Sequence, residues 1–289
     1  MSEFHVNRIQ HWMLPIADRE KALPFYRDFL GLHLVPSFED FPGVTMLETD
    51  DGTMIHLAEV SERTPPTHVA FEVSDFDAMH ERAQEMKATT RDAIKRPDGR
   101  PAVQTADPDG NAVEFTTGPG PITLDRVVDA NGITSERPAD GSEPDLSGVE
   151  PEFHMNRVQH VMFPISTREK TLPYYRDFLG LNLVPAFEDS PTVIFMETED
   201  NTMVHLSERG PRTPAAHVAF EVDDFEAIHK RLVELNYEID GPDRRADGRP
   251  ALKIRDIDGN TIEITTGPGP ISIADRVVDE WGHTSVPGG

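Results

Sequence analysis

Phe4-His5-Val6-Asn7-Arg8-Ile9-Gln10-His11 returns later in the chain as Phe153-His154-Met155-Asn156-Arg157-Val158-Gln159-His160, an offset of 149 residues. The same offset carries His56 to His205, His68 to His217 and Glu114 to Glu263. A period near the size of an ordinary domain describes one fold built twice, not a solenoid of short repeats. The repeat extends past this core, because Gly118-Pro119-Gly120-Pro121 and Asp125-Arg126-Val127-Val128-Asp129 recur as Gly267-Pro268-Gly269-Pro270 and Asp275-Arg276-Val277-Val278-Asp279. Between the copies, Glu136 to Glu152 is rich in Pro, Gly, Ser, Asp and Glu, which predicts a linker too polar to order itself. The expected domains are therefore 1–135 and 153–289, each with its C-terminal extension, joined by 136–152.

Within the first copy, Ile9 to Ile16 reads as a strand, and Leu23 to Leu30, followed by Gly31, as a helix with a glycine cap. Pro24 lacks a donor and must sit in the first turn or kink that helix. Short strands are expected near Leu32 to Phe38, Val44 to Glu48 and Thr53 to Ala58, with Asp50-Asp51-Gly52 as a turn. After Pro65-Pro66 the order restarts: His68 to Val73 as strand, Phe76 to Met86 as amphipathic helix, then strands near Ile94, Pro101 to Thr105 and Ala112 to Thr116. The fold class is thus α+β, with four βαβββ units in tandem pairing into two domains of curved, open mixed sheet.

Cysteine is absent, which excludes disulfides, thiolate catalysis and cysteine-type zinc sites. The formal charge is −25, and six of the 27 basic residues are lysines, so the field repels nucleic acid and anionic lipid. Such an acidic, lysine-poor surface suits a salt-rich cytoplasm. Neither a signal peptide nor a membrane-length apolar run is present, and a cytoplasmic location is expected.

Ten of the twelve histidines form matched pairs (5/154, 11/160, 56/205, 68/217 and 80/229), while His33 and His283 have no counterpart. By strand alternation His11 shares a face with Ile9 and Met13, His56 with Met54 and Ala58, His68 with Ala70, and Glu114 with Ala112 and Thr116. These donors fall on the first and last strands of the two units, which lie mid-sheet when units pair. Imidazole and carboxylate together suit Fe2+, Mn2+, Co2+, Ni2+ or Zn2+. His80 and His229 read as solvated helix positions. His5 and His154 read as surface groups or, if they share the inward face with Asn7 and His11, as supports to the site. Arg100 and Arg249, in matched Asp-Gly-Arg-Pro segments, could meet an anionic substrate or cap a turn. The Gly-Pro-Gly-Pro segments cannot be phosphate loops, because proline removes the required donors.

Three stretches together resemble the vicinal oxygen chelate superfamily, which includes glyoxalase I, fosfomycin-resistance thiol transferases, bleomycin-binding proteins and extradiol dioxygenases. They are Gln10-His11 through Leu23-Pro24-Phe25-Tyr26-Arg27-Asp28-Phe29-Leu30-Gly31-Leu32, Thr67-His68-Val69-Ala70-Phe71-Glu72-Val73, and Asp107-Pro108-Asp109-Gly110-Asn111-Ala112-Val113-Glu114. The second copy repeats each, with Ile257 replacing the proline of the last. The resemblance implies glyoxalase-like domains and a divalent metal held by His11, His68 and Glu114, and again by His160, His217 and Glu263. His56 and His205 stand where glyoxalase I has a fourth ligand, usually glutamate or glutamine. Several members share ligands between domains, so the expected pairing is His11 and His56 with His217 and Glu263, and His160 and His205 with His68 and Glu114.

The activity so implied is a glyoxalase-type lyase or isomerase on a small oxygen-chelating substrate, with Glu114 and Glu263 as bases. An Fe2+-dependent extradiol dioxygenase is the alternative, ranked lower because the histidine and tyrosine that its pattern places before the last Asp-Pro-x-Gly turn are missing from Arg100 to Ala106 and from Gly248 to Asp256. A metal-free binding or resistance protein is the third reading, disfavoured by a donor set kept twice.

Overall fold

A computed structural model describes residues 4–37, 43–61, 67–88, 91–96, 99–118, 126–142, 144, 150–186, 192–209, 216–245, 248–267 and 276–286. Phe38, Pro65-Pro66, Asp125, Asp275, the prolines of both Gly-Pro-Gly-Pro segments and residues 143 and 145–149 of the expected linker lie outside these residues.

The first half runs β1 (Val6–Ile16), α1 (Arg19–Leu23), β2 (His33–Val35), β3 (Val44–Glu48), β4 (Met54–Glu59), β5 (His68–Val73), α2 (Phe76–Glu85), β6 (Ile94–Lys95), β7 (Pro101–Ala106) and β8 (Ala112–Thr116). A hairpin of β9 (Arg126–Val128) and β10 (Thr134–Glu136) follows. The second half repeats the order as β11 (Arg157–Ile165), α3 (Arg168–Pro173), β12 (Asn182–Val184), β13 (Val193–Glu197), β14 (Met203–Glu208), β15 (His217–Glu221), α4 (Phe225–Glu234), β16 (Asp240–Arg244), β17 (Pro250–Arg255) and β18 (Thr261–Thr265). It ends with β19 (Val277–Val278) and β20 (Thr284–Ser285).

The first helix begins at Arg19, earlier than the sequence suggests, and Pro24 decides its shape. Without a proline N–H the α pattern stops at Leu23, and Pro24–Phe29 continues as a wider π-helical turn closed by Leu30 N donating to Phe25 O at 2.9 Å. Gly31 ends it at φ +74°, where Leu32 N reaches back to Tyr26 O at 3.0 Å. A side chain at Gly31 would also strike the carbonyl oxygen of Phe153, so the glycine seats the entry of the second half against the first. Asp75 caps α2 by accepting from Ala78 N at 3.0 Å, and Asp224 caps α4 in the same way.

Each half forms one open eight-stranded mixed sheet, β2-β3-β4-β1-β5-β8-β7-β6 and β12-β13-β14-β11-β15-β18-β17-β16. The central contacts are β1 with β4 (parallel), β1 with β5 (antiparallel) and β5 with β8 (parallel). The two units of one half therefore pair with each other, not with units of the other half.

Contact between the halves runs through the opposite side of the sheets. One continuous apolar core joins the helix faces of both sheets: Trp12, Leu14, Ile55, Phe71 and Phe115 from the first half and Val161, Phe163, Val204 and Phe220 from the second. Trp12 and Phe163 meet with ring centroids 5.3 Å apart. The first helix of each half lies on the second unit of the other, with Tyr26 Oη donating to Asp256 at 2.6 Å and Tyr175 Oη to Asp107 at 3.0 Å. The ends of the expected linker are ordered: Glu136 completes β10, Glu152 N bonds Asp28 O at 2.8 Å, and the Phe153 ring packs edge-on to Phe29.

Asp109 is the densest polar clasp in this interface. It accepts from Ser166 N (2.8 Å), Thr171 Oγ1 (2.5 Å) and Lys170 Nζ (2.7 Å), whereas its counterpart Asp258 accepts from Ala17 N (3.0 Å). Burial works against its charge, but the hydrogen bonds from Lys170, Thr171 and Ser166 prevail and hold the carboxyl well below the usual aspartate value. Asp109→Ala is expected to cost about 1–3 kcal/mol in urea denaturation, more than Asp258→Ala. Because the folded-state pKa is depressed, this stabilisation is complete above the ordinary value of 3.8 and is lost as pH falls below it. The wild-type and Asp109→Ala stabilities should therefore converge in acid.

Candidate metal centres

Two residues apart on a regular strand means one face, yet Ile9 and His11 point to opposite faces. Ile9 lies opposite Phe71 and His11 opposite Ala70, so β1 carries one extra residue at Gln10, a β-bulge that turns the strand over. Ile9 joins the core between the halves, while His11 and Met13 face the other way. Val158 and His160 show the same register shift. The bulge lets one strand feed both faces.

His56 on β4, His11 on β1, His68 on β5 and Glu114 on β8 occupy the four central strands of the first sheet, and all four are buried. The structure brings donor atoms of His11, His68 and Glu114 within 4.8 Å of one another, and those of His160, His217 and Glu263 likewise. His11 Nε2 and His68 Nε2 are 3.1 Å apart, and His160 Nε2 and His217 Nε2 are 3.2 Å apart. The carboxylates stand 3.7 Å (Glu114) and 3.3 Å (Glu263) from the nearer Nε2 of His68 and His217. Neighbouring ligands bound about 2.1 Å from one cation stand roughly 3.0–3.4 Å apart, so the donor set fits a metal with little movement.

The expected exchange of ligands between halves is not found. His11 closes with His68 and Glu114 of its own half, because β1 pairs with β5 and the donor faces of the two sheets look outward on opposite sides of the shared core. The halves exchange helix contacts and not metal donors.

Supporting groups prepare the imidazoles. Gln10 Oε1 can only accept, so the Nδ1 of His11 donates to it and the Nε2 lone pair turns inward; Gln159 does the same for His160 at 2.5 Å. Burial first, then nearby cationic groups, holds His11, His56, His160 and His205 well below the ordinary value of 6.5, so these rings are neutral near pH 7. His56 does not enter the cluster of donors. It stacks on His11 with ring centroids 3.9 Å apart and an angle of 19°, and His205 stacks on His160 at 4.0 Å.

Arg96 and Arg245 are functional candidates that the sequence reading passed over. They form ion pairs with Glu114 and Glu263, with 4% and 5% of their side chains exposed. Arg100 and Arg249, singled out instead, are held by the carbonyls of Gly118 (3.1 Å) and Gly267 (2.7 Å) as turn caps. The clue was available: Arg96 and Arg245 also match between copies, and each sits across its hairpin from the turn-capping arginine. His5 and His154 are exposed and do not support the buried clusters; the side chain of His5 is 58% exposed and faces Glu199 at 3.5 Å. His80 and His229 lie half-exposed on α2 and α4, against Phe76 and Phe225.

The two centres differ. In the second, Lys253 Nζ approaches Glu263 at 2.9 Å, where the first has Gln104 at 3.4 Å from Glu114. Phe195 stacks on His205 at 3.9 Å and 3°, where the first half has Met46 opposite His56. Beside the first centre, Met13, Val35, Val44, Met46, Met54 and Ala58 form an apolar wall; Ala186, Phe195 and Met203 form the second.

The family model of the Glyoxalase/Bleomycin resistance protein/Dioxygenase superfamily matches residues 8–115 and again 157–264. The putative ring-cleaving dioxygenase MhqA of Bacillus subtilis is 27% identical over 96% of this chain and 92% of its own length. Among solved structures, the 2,3-dioxygenase LapB from Pseudomonas sp. KL28 superposes with a TM-score of 0.65 at 18% identity, covering 92% of this chain and 94% of its own. The Mn(II)-bound glyoxalase from Novosphingobium aromaticivorans gives 0.64 at 18% identity, covering 91% and 83%. Among the described residues no helix is long and apolar enough to cross a membrane.

Two double variants test the closure of each centre within its half. His11→Ala with His68→Ala should leave one metal in the two buried centres after dialysis, and His11→Ala with His217→Ala should leave neither centre occupied. Ligand sharing between halves would give the reverse, and retained stoichiometric metal in His68→Ala with His217→Ala would show the donors to be misassigned. Lys253→Gln is expected to tighten metal binding at the second centre roughly tenfold, by removing a cation that competes for its carboxylate, and Gln104→Lys to weaken the first. Metal titration of each variant reads this directly.

Proposed function

The chain belongs to the Glyoxalase/Bleomycin resistance protein/Dioxygenase superfamily, and from that premise we propose that it is a divalent-metal enzyme, most simply an Fe2+-dependent dioxygenase, that opens the ring of a small dihydroxylated aromatic compound. The observation that carries this reading is the arrangement of two buried imidazoles and one carboxylate on one face of the sheet beside an apolar wall. Two histidines and one carboxylate with open positions are the ligand pattern of non-haem iron oxygenases. A small dihydroxylated ring would lie against Met13, Met46 and Met54 with its hydroxyl groups toward the donor cluster. The match to the ring-cleaving relative over nearly the whole of both chains gives this reading at least the weight of the lyase. The missing histidine and tyrosine of the extradiol pattern therefore do not demote it.

A divalent metal held by His11, His68 and Glu114 would supply Lewis-acid stabilisation of charge on substrate oxygens and reactivity toward dioxygen. The protein supplies orientation and proton handling. Gln10 fixes the His11 ring, and Arg96 balances Glu114 and adds positive potential toward an anionic substrate. His56, buried and neutral, lies beside His11 and takes up a proton released when a hydroxyl ionises. Glu114, held by Arg96, is committed as a charge partner and is less suited to the role of base. Both atoms of dioxygen enter the ring-opened product, so no external reductant is needed.

A glyoxalase-type lyase is the second reading, since the same family includes glyoxalases and the donor cluster suits it equally, although His56 and His205 stack on His11 and His160 outside that cluster. An oxygen electrode separates the two. The Fe2+-loaded protein is expected to consume one dioxygen per catechol or hydroquinone opened and to be inactive without oxygen. Turnover of a 2-oxoaldehyde thiol adduct in anaerobic buffer, without activity on aromatics, would establish the lyase instead. His56→Ala with His205→Ala should lower kcat by about 10²–10⁴-fold while both metals stay bound.

A further inference from the structure

We propose a third metal site, on the surface, in which His33, Asp50 and His154 bind a divalent transition-metal ion and tie the two halves together. Donor atoms of the three residues lie within 4.8 Å of one another, with His33 Nε2 2.8 Å from Asp50 Oδ1. The rings of His33 and His154 have centroids 6.2 Å apart. Two imidazoles and a carboxylate are a donor set for Zn2+, Ni2+ or Co2+, and their exposure leaves room for water at the remaining positions.

The segments that carry the three residues are held together by backbone hydrogen bonds. His33 opens β2 opposite Glu48 of β3, and Asp50 sits in the turn that follows β3. Asp50 N donates to Met155 O at 3.1 Å and Asp51 N to Asn156 O at 3.0 Å, which fixes the segment carrying His154 beside that turn. Met155 is buried, and Phe153 is docked on Phe29, so His154 is anchored on both sides. The ordering cost of gathering ligands from distant parts of the chain is therefore already met by the fold.

The repeat supplies an internal control. The equivalent place on the other side of the molecule holds Asn182, Glu199 and His5. There His5 Nδ1 faces Glu199 Oε1 at 3.5 Å, and asparagine replaces the second imidazole. His33 has no histidine counterpart, so the two places differ by the one group that would complete a metal site. The net charge of −25 draws cations to either place, but the first holds two nitrogen ligands. An ion bound there spans β2 and the β3–β4 turn of one half and the lead-in to β11 of the other, at the opening of the shared core.

Zinc chloride titrated into the full-length protein tests this, with His33→Asn, which imports the residue of the second copy, and Asn182→His, which exports the first. The wild type is expected to bind one more equivalent than His33→Asn, and Asn182→His one more than the wild type. Imidazole resonances of His33 and His154 should shift with zinc while that of His5 stays in place, and zinc should raise the melting temperature of the wild type more than that of His33→Asn. Superimposable isotherms for the wild type and His33→Asn, or unshifted His154 resonances at saturation, would overturn the site. Neither buried centre is altered in these variants, so the outcome is independent of the reaction proposed above.

Discussion

Two imidazoles facing each other at 3.1 Å inside an apolar sheet set the terms for the rest of this molecule. With the Nδ1 of His11 turned to Gln10, its Nε2 lone pair faces the Nε2 of His68 and must be met there by a hydrogen or a cation, because a buried acceptor left unmet costs on the order of 1–3 kcal/mol. Protonating either ring beyond its neutral form would bring a charge into the interior, and burial already opposes charge on His11. A divalent cation answers both demands, but only if the rings are neutral, oriented and flanked by an anion. Gln10, the bulged strand and Glu114 supply those three conditions, and each is repeated in the second half.

The same requirement explains the architecture. A sheet that buries polar donors on one face must bury apolar surface on the other, and a single half offers two short helices to cover eight strands. Placing the helix faces of both sheets together solves this, since the first helix of each half then covers the second unit of its neighbour. The bulge at Gln10 is the hinge of the arrangement, because it assigns Ile9 to the shared core and His11 to the donor face within three residues. Ligands cannot cross between halves in such a fold, because the core lies between the two donor faces.

The order of elements and the four units were legible in the sequence, and duplication with the regular alternation on β4, β5 and β8 singled out four candidate donors per half, of which the family resemblance implied the three that cluster. Three things were not. Alternation fails at a bulge, and nothing in Ile9-Gln10-His11 marks where the extra residue falls, so Ile9 was placed beside His11 and His5 was allowed near the site. Unit pairing was equally hidden, because cross-paired and self-paired sheets expose the same apolar positions; the short connection from β4 to β5 favours closure within a half, but loop-closure entropy alone decides such cases weakly. The arginines on Glu114 and Glu263 were missed for another reason: a side chain that reaches a site from a hairpin edge leaves no periodic signature.

Duplication also explains why the two centres need not do the same work. Donors and their glutamine supports are constrained by the cation and stay alike, whereas the walls are constrained by what lies against them. Met46 and Gln104 against Phe195 and Lys253 are differences of shape and charge at equivalent places, within reach of anything bound to the metal. Phe195 extends the stack of His160 and His205 to a third ring, where the first half has the flexible side chain of Met46 opposite His56. Lys253 adds a cation beside Glu263, which favours a more anionic ligand but competes with the metal for its carboxylate. A chain that keeps one donor set and varies its surroundings can hold the chemistry fixed while dividing substrates between its halves.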